Sequence, residues 1–103
     1  MSQYRRVASV DAIPTGKGAV VEVGGKKVAI FNVEGRFYAV DNVCSHRGGP
    51  LGEGSLRGKR VNCPWHGAQF DVTNGQVLSF PATEGVASHP TKVEENGIWV
   101  AIF

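Results

Sequence analysis

The chain has two cysteines and three histidines among its 103 residues. Four of these five side chains fall in two short groups, Cys44-Ser45-His46 and Cys63-Pro64-Trp65-His66, with sixteen residues between His46 and Cys63. Thiolate and imidazole are the side chains that bind zinc or iron–sulfur clusters, and each group supplies one of each. In a reducing compartment a cysteine pair of this kind is more often metal-binding or catalytic than a disulfide. Structural zinc sites usually draw their ligands as like pairs, C-x2–4-C and H-x3–5-H. Here Cys-x-His followed by Cys-x2-His mixes the types within each group. Mixing suits a two-iron site in which one iron takes both cysteines and the other both histidines. A zinc-stapled interaction module without a redox role is the competing reading of the same four residues.

These ligands need a rigid frame, and the rest of the chain reads as one built from short strands. Runs rich in Val, Ile, Phe and Tyr alternate with turn signals, and no apolar stripe is long enough for a helix. Strands are expected at 4–9, 19–23, 27–33, 36–41, 60–62, 69–71, 76–80, 91–95 and 98–102. Gly24-Gly25, Glu34-Gly35, Asn74-Gly75 and Asn96-Gly97 each offer a residue that tolerates positive φ, as two-residue hairpin loops require. An all-β sandwich or partly closed barrel would bury one face of each strand. Two stretches interrupt the pattern. Gly48, Gly49, Pro50, Gly52 and Gly54 forbid regular pairing between Val43 and Leu56, and Cys63 to Gly67 forms a second break. Both carry the candidate ligands, and long loops on a rigid scaffold are where function concentrates.

The motif Cys44-Ser45-His46 with Cys63-Pro64-Trp65-His66-Gly67 resembles the C-x-H…C-P-x-H-G signature of Rieske proteins. The resemblance extends to Gly48–Leu51 as the first cluster loop, Gln69-Phe70-Asp71 as the strand after the second, and Phe80-Pro81-Ala82 as a proline loop over the cluster. It implies a single domain over residues 1–103, with cluster-binding loops at about 43–56 and 63–68 and the proline loop at about 79–82. The implied fold is an antiparallel β-sandwich of three stacked sheets with a small inserted cluster-binding subdomain. It also implies one Rieske [2Fe-2S] cluster per chain, held by Cys44, His46, Cys63 and His66, with the histidines at the exposed tip. Two neutral imidazoles in place of two thiolates make the cluster easier to reduce than an all-cysteine one.

Departures from the high-potential members of that family place this chain among the ferredoxins. Those members carry a further cysteine in each loop, joined as a disulfide, where this chain has Gly49 and Trp65. They also carry a serine and a tyrosine that donate hydrogen bonds to the cluster, where Ala68 and Phe70 stand here. Without those donors the potential should fall to the low end of the Rieske range, about −150 mV.

A ring-hydroxylating oxygenase would need a mononuclear iron, commonly held by two histidines and a carboxylate. Once the cluster takes its two, only His89 is left. That argues against an oxygenase, and the resemblance implies instead a monomeric electron carrier and not an enzyme, one that takes electrons from a flavin-dependent reductase and passes them singly to a terminal oxygenase. The alternative within electron transfer is a small Rieske subunit of a reductase such as assimilatory nitrite reductase. Eleven basic and nine acidic residues give a net charge of +2, which suggests neither nucleic acid nor membrane as a partner. The N-terminus has no apolar signal-peptide core and no stretch approaches a membrane span, so a cytoplasmic location is expected.

Among single residues, Arg47 could steer an acidic partner. Pro50, Leu51 and Pro81 are expected to wall the cluster from water, and Trp65 to shield it. Arg57, Lys59 and Arg60 read as a solvated hairpin tip, His89 as a surface or strand-end histidine, Lys26 and Lys27 as turn residues, and Trp99 and Phe103 as core.

Overall fold

The structure is a computed structural model that describes residues 3–42, 50–64, 67–79 and 85–102, with side chains from Tyr4 to Ala101. Its strands are β1 (Gln3–Ser9), β2 (Gly18–Val23), β3 (Lys26–Val33), β4 (Arg36–Asp41), β5 (Ser55–Arg57), β6 (Arg60–Asn62), β7 (Gln69–Asp71), β8 (Val77–Ser79), β9 (Ser88–His89), β10 (Thr91–Glu94) and β11 (Gly97–Ile102). Two 3₁₀ turns, Val10–Ala12 and Leu51–Glu53, are the only helical elements among the described residues. The strands form three antiparallel sheets, ordered β1-β11-β10, β2-β3-β4-β9 and β5-β6-β7-β8. The third sheet is built from a contiguous stretch between β4 and β9, two neighbours of the middle sheet, so it is an insertion into a larger sandwich.

Strand β3 explains the layering. Its central run, Val28-Ala29-Ile30-Phe31-Asn32, is buried at every position and not at every second one. Alternate side chains leave a strand on opposite faces, so uninterrupted burial means that both faces are covered. Val28 and Ile30 join Phe37, Ala39, Ile98 and Val100 in one core, between the middle and first sheets. Ala29 and Phe31 join Val40, Val61, Phe70 and Val72 in a second core, between the middle and third sheets. Burying a Val, Ile or Phe side chain is worth about 1.5–3 kcal/mol. The three largest residues of this run thus contribute a gross stabilisation comparable to the net stability of a small domain.

The hairpin loops follow local chemistry with one displacement. Gly24-Gly25 and Glu34-Gly35 close β2–β3 and β3–β4 with both residues at positive φ, the arrangement that suits the right-handed twist of paired strands. In the last hairpin the loop is Glu95-Asn96 and not Asn96-Gly97: Glu94 pairs with Gly97, and Glu95 and Asn96 take the positive φ values. Gly97 is a strand position, paired with Glu94 and Ser9, and a Cβ there would meet only the outer part of the exposed Arg6 side chain, which can swing aside. Asn74-Gly75 lies in a longer connection, since β7 ends at Asp71 and β8 begins at Val77, and only Gly75 of the two has positive φ.

Several other expectations shift. Pairing begins within the first glycine-rich stretch, since β5 starts at Ser55, and β9 was not anticipated. Lys26 opens β3 instead of lying in a turn. Ile98 and Val100 are core, as one face of an alternating strand should be, whereas Trp99 on the other face is half-buried and its indole Nε1 donates to the Glu94 carbonyl at 3.4 Å. Phe80, Pro81, Ala82 and Phe103 lie outside the described residues.

His89 is a strand-end residue, the last of β9, with its side chain turned inward from the surface. Its side chain is 7% exposed, and its Nε2 lies 2.8 Å from Asp41 Oδ1 at the end of β4. An ionised carboxylate can only accept, so Nε2 is the donor. Lys26 Nζ approaches the same oxygen at 3.1 Å, which ties β3, β4 and β9 together at one edge. Burial pushes the Asp41 carboxyl up, but the hydrogen bonds and charges of His89 and Lys26 outweigh it and hold the pKa below the ordinary 3.8. A lowered carboxyl pKa contributes stability that is complete above about pH 4 and is lost as pH falls through the folded-state value. Asp41→Asn should therefore cost about 1–2 kcal/mol in urea unfolding at pH 7, and the gap from the parent should close towards pH 2. A gap of the same size at both pH values would contradict the ion-pair account.

Candidate metal centre

Both interrupted stretches leave the ends of paired strands, and each is closed by specific hydrogen bonds. The first begins after β4. Asn42, the residue after that strand, is 5% exposed and grips the returning chain twice: its carbonyl accepts from the Leu51 N–H at 2.7 Å, and its Oδ1 accepts from the Gly52 N–H at 2.8 Å. Its own N–H donates to the Lys27 carbonyl at 3.2 Å, which anchors the clamp to β3. Gly52 has to be glycine, because a Cβ would run into Val20 and crowd Asn42 Oδ1. Gly54 has to be glycine as well, since a Cβ would overlap the Asn62 carbonyl oxygen. The loop is thereby pressed against β6, the strand that leads into the second group of candidate ligands.

That second loop is tighter. The Cys63 N–H donates to the Ala68 carbonyl at 2.7 Å, closing the turn between β6 and β7. Gly67 sits inside it at φ +75°, a conformation that side chains with a Cβ adopt only at a cost. Below the turn, Asp71 organises the next connection. Its Oδ1 accepts from the N–H and hydroxyl of Thr73 at 2.9 and 2.6 Å, and Lys59 Nζ lies 3.6 Å from Oδ2. Burial pushes the Asp71 carboxyl up, and the Thr73 hydrogen bonds with the Lys59 charge bring it below the ordinary value. The Gly75 carbonyl then accepts from the Val86 N–H at 2.8 Å, which fastens this connection to the chain that leads into β9.

Of the four candidate ligands, the described residues include Cys63, which is 3% exposed and belongs to the second core together with Leu51, Val61, Ala68, Phe70 and Val72. Cys44, His46 and His66 lie outside the described residues, as do Arg47, Gly48, Gly49 and Trp65. The donor chemistry at Cys63 suits a metal-bound sulfur, because an uncompensated thiolate in apolar surroundings is costly, whereas a bound metal offsets its charge. Leu51 is fully buried, so it forms part of the wall behind Cys63 and no part of an exposed rim. Ala68 and Phe70 are likewise completely buried in the same core. Neither side chain carries a hydrogen-bond donor. Asn42 had no place in the sequence reading, and Asp71 entered it only as the end of an expected strand. A short polar residue directly after a strand, followed by a glycine-rich return, is the signal Asn42 left.

Comparison with known proteins agrees with this arrangement. A family model for the Rieske [2Fe-2S] domain matches residues 3–90. The ferredoxin component of naphthalene 1,2-dioxygenase/salicylate 5-hydroxylase systems from a Ralstonia species is 40% identical over 87 residues, covering 84% of each chain. The ferredoxin of carbazole 1,9a-dioxygenase from Nocardioides aromaticivorans IC177 superposes with a TM-score of 0.91 at 28% identity, over 95% of this chain and 96% of that one. A chain from a complex of reduced oxygenase and oxidized ferredoxin in carbazole 1,9a-dioxygenase gives a TM-score of 0.89 at 31% identity, over 95% and 92%. With a buried cysteine in its inserted third sheet and a family model matched over most of its length, the chain belongs to the Rieske [2Fe-2S] domain family.

Proposed function

We propose that residues 1–103 form a single monomeric domain in which Cys44, His46, Cys63 and His66 hold the Rieske-type [2Fe-2S] cluster. In this reading the chain accepts electrons from a flavin-dependent reductase and delivers them to a terminal oxygenase in the cytoplasm. Its relatives are ferredoxin components of dioxygenase systems, and like them it is an electron-transfer protein and not the catalytic component. Bound between the loops, the cluster supplies one reversible electron equivalent. The observation that carries the proposal is the division of the histidines. With His46 and His66 assigned to the cluster, His89 is committed to Asp41 within the middle sheet, so the chain keeps none for a second iron. Among the described residues no helix is long and apolar enough to cross a membrane.

The residues around Cys63 have two tasks. Leu51, Val61 and Phe70 keep water from its sulfur, and the closures at Asn42 and Ala68 hold the two loops in a fixed relation. The proposal is tested by stopped-flow mixing of the iron-loaded protein with a flavin reductase and NADH, then with a terminal oxygenase of the naphthalene type. Bleaching in the first step and recovery in the second are expected; an absence of bleaching, with dithionite still able to reduce the protein, would overturn the carrier role.

Two mutational outcomes test this reading. Ala68→Ser or Phe70→Tyr puts a hydroxyl into the core that holds Cys63, and a bond worth about 1 kcal/mol more to the reduced state amounts to about 40 mV for a one-electron couple. Voltammetry should show that rise in midpoint potential in at least one variant, and no change in either would sink the account. Asn42→Ala removes the acceptor for Gly52, a loss of about 1–2 kcal/mol, so iron release to a chelator should speed up roughly 5- to 30-fold. Asn42→Asp keeps an acceptor oxygen and should release iron at close to the parent rate.

A further inference from the structure

The third sheet turns Leu56, Val61 and Phe70 towards the core, which leaves the alternate positions of β5, β6 and β7 on its outer face. On that face Arg57 stands directly opposite Arg60 across the β5–β6 hairpin, with Gly58-Lys59 as the connecting turn. Like charges directly opposite in an antiparallel pair are destabilising. Arg60 also faces Asp71 across β6–β7, but Asp71 is already engaged by Thr73 and Lys59. Among the described residues neither Arg57 nor Arg60 forms an ion pair. The face lines a concavity of about 660 Å³, in which three cations meet the single carboxylate of Asp71. Two positive charges are left over, the same excess as the whole chain carries, so the other eight basic and eight acidic residues balance. Asn62 in the same wall holds its Oδ1 buried without a hydrogen-bond partner, and Leu78 beside it is 45% exposed.

We propose that this basic concavity docks an acidic segment of a redox partner protein, an inference that rests on the carrier role set out above. Carboxylates match the two guanidiniums, which present paired donors, and the excess of two positive charges in the concavity supplies the complementarity. A protein segment is preferred to a phosphodiester backbone because the carrier role requires a protein partner and the chain's net charge of only +2 does not suit a polyanion. Strand β6 runs from Arg60 through Asn62 into Cys63. At about 3.3 Å per residue, the docked segment lies roughly 10 Å along the strand from the buried sulfur. The opposed arginines cost fold stability and raise the rate of encounter with a carboxylate-rich surface.

The test uses the iron-loaded protein with a hexaglutamate peptide as probe, followed by NMR. Expected are amide shifts centred on Arg57, Arg60 and Asn62 that fade as ionic strength rises through about 0.1 M, and that vanish in an Arg57→Glu/Arg60→Glu double variant. In stopped-flow reduction by a flavin reductase, the double variant should react about tenfold more slowly at low ionic strength and converge on the parent at high salt. Its EPR spectrum and midpoint potential should be unchanged. Arg57→Glu alone sets a carboxylate opposite Arg60 and should raise the melting temperature while slowing reduction, a split that a merely structural role would not produce. Shifts centred elsewhere, a duplex oligonucleotide binding these amides in place of the peptide, or an unaltered salt dependence would each overturn the docking face. Peptide binding needs no partner enzyme, so its failure with parent reduction intact counts against this face alone. A parent protein that no flavin reductase reduces counts against the carrier role and, with it, the face.

Discussion

Everything in this protein depends on a middle sheet covered on both sides. Strands β3 and β4 send Val28, Ile30, Phe37 and Ala39 into one core and Ala29, Phe31 and Val40 into the other. The first core closes an ordinary sandwich with β11. The second has no strands left from that sandwich to cover it, and it is filled by an insertion between β4 and β9 whose own inner face carries Val61, Phe70 and Cys63. The third sheet is short, with strands of three residues each. Strands this short are marginal alone, so the sheet holds its shape because Phe31 and Val40 of the middle layer complete its core.

That dependence explains how the ends of two long loops are held. Each of the two stretches with candidate ligands is anchored where it meets a strand of a packed sheet, at Asn42 for the first and at the Cys63–Ala68 closure for the second. Gly52 and Gly54 let the backbones approach closely enough for the clamp to form. The same packing bears on the proposed chemistry. Leu51, Ala68 and Phe70, which share a core with Cys63, carry no donor side chain, and in the proposed reading this favours the oxidised form and a low potential.

Legibility in the sequence followed the range of the signal. The ligand types and spacing at Cys44, His46, Cys63 and His66 are local, and they pointed to the family that the comparison confirmed. Paired positive-φ residues marked Gly24-Gly25 and Glu34-Gly35 as hairpin loops correctly, because turn geometry is set within four residues. What escaped was non-local. Gly97 looked like a turn residue, yet it is a strand position paired with Ser9, some ninety positions away in the chain. His89 looked peripheral because nothing near it in sequence reveals Asp41 as its partner. Strand β9, two residues long, is defined by pairing with β4 and has no pattern of its own. The Arg57–Arg60 opposition became visible only with the register.

The central claim, a Rieske centre of low potential in which Ala68 and Phe70 offer no donor side chain, is tested most directly by EPR-monitored redox titration of the purified protein across pH. A Rieske-type signal after dithionite, with a midpoint of about −150 mV that stays flat through neutral pH, is the predicted result. A colourless protein with stoichiometric zinc, or a midpoint that falls steeply with pH near neutrality, would contradict it.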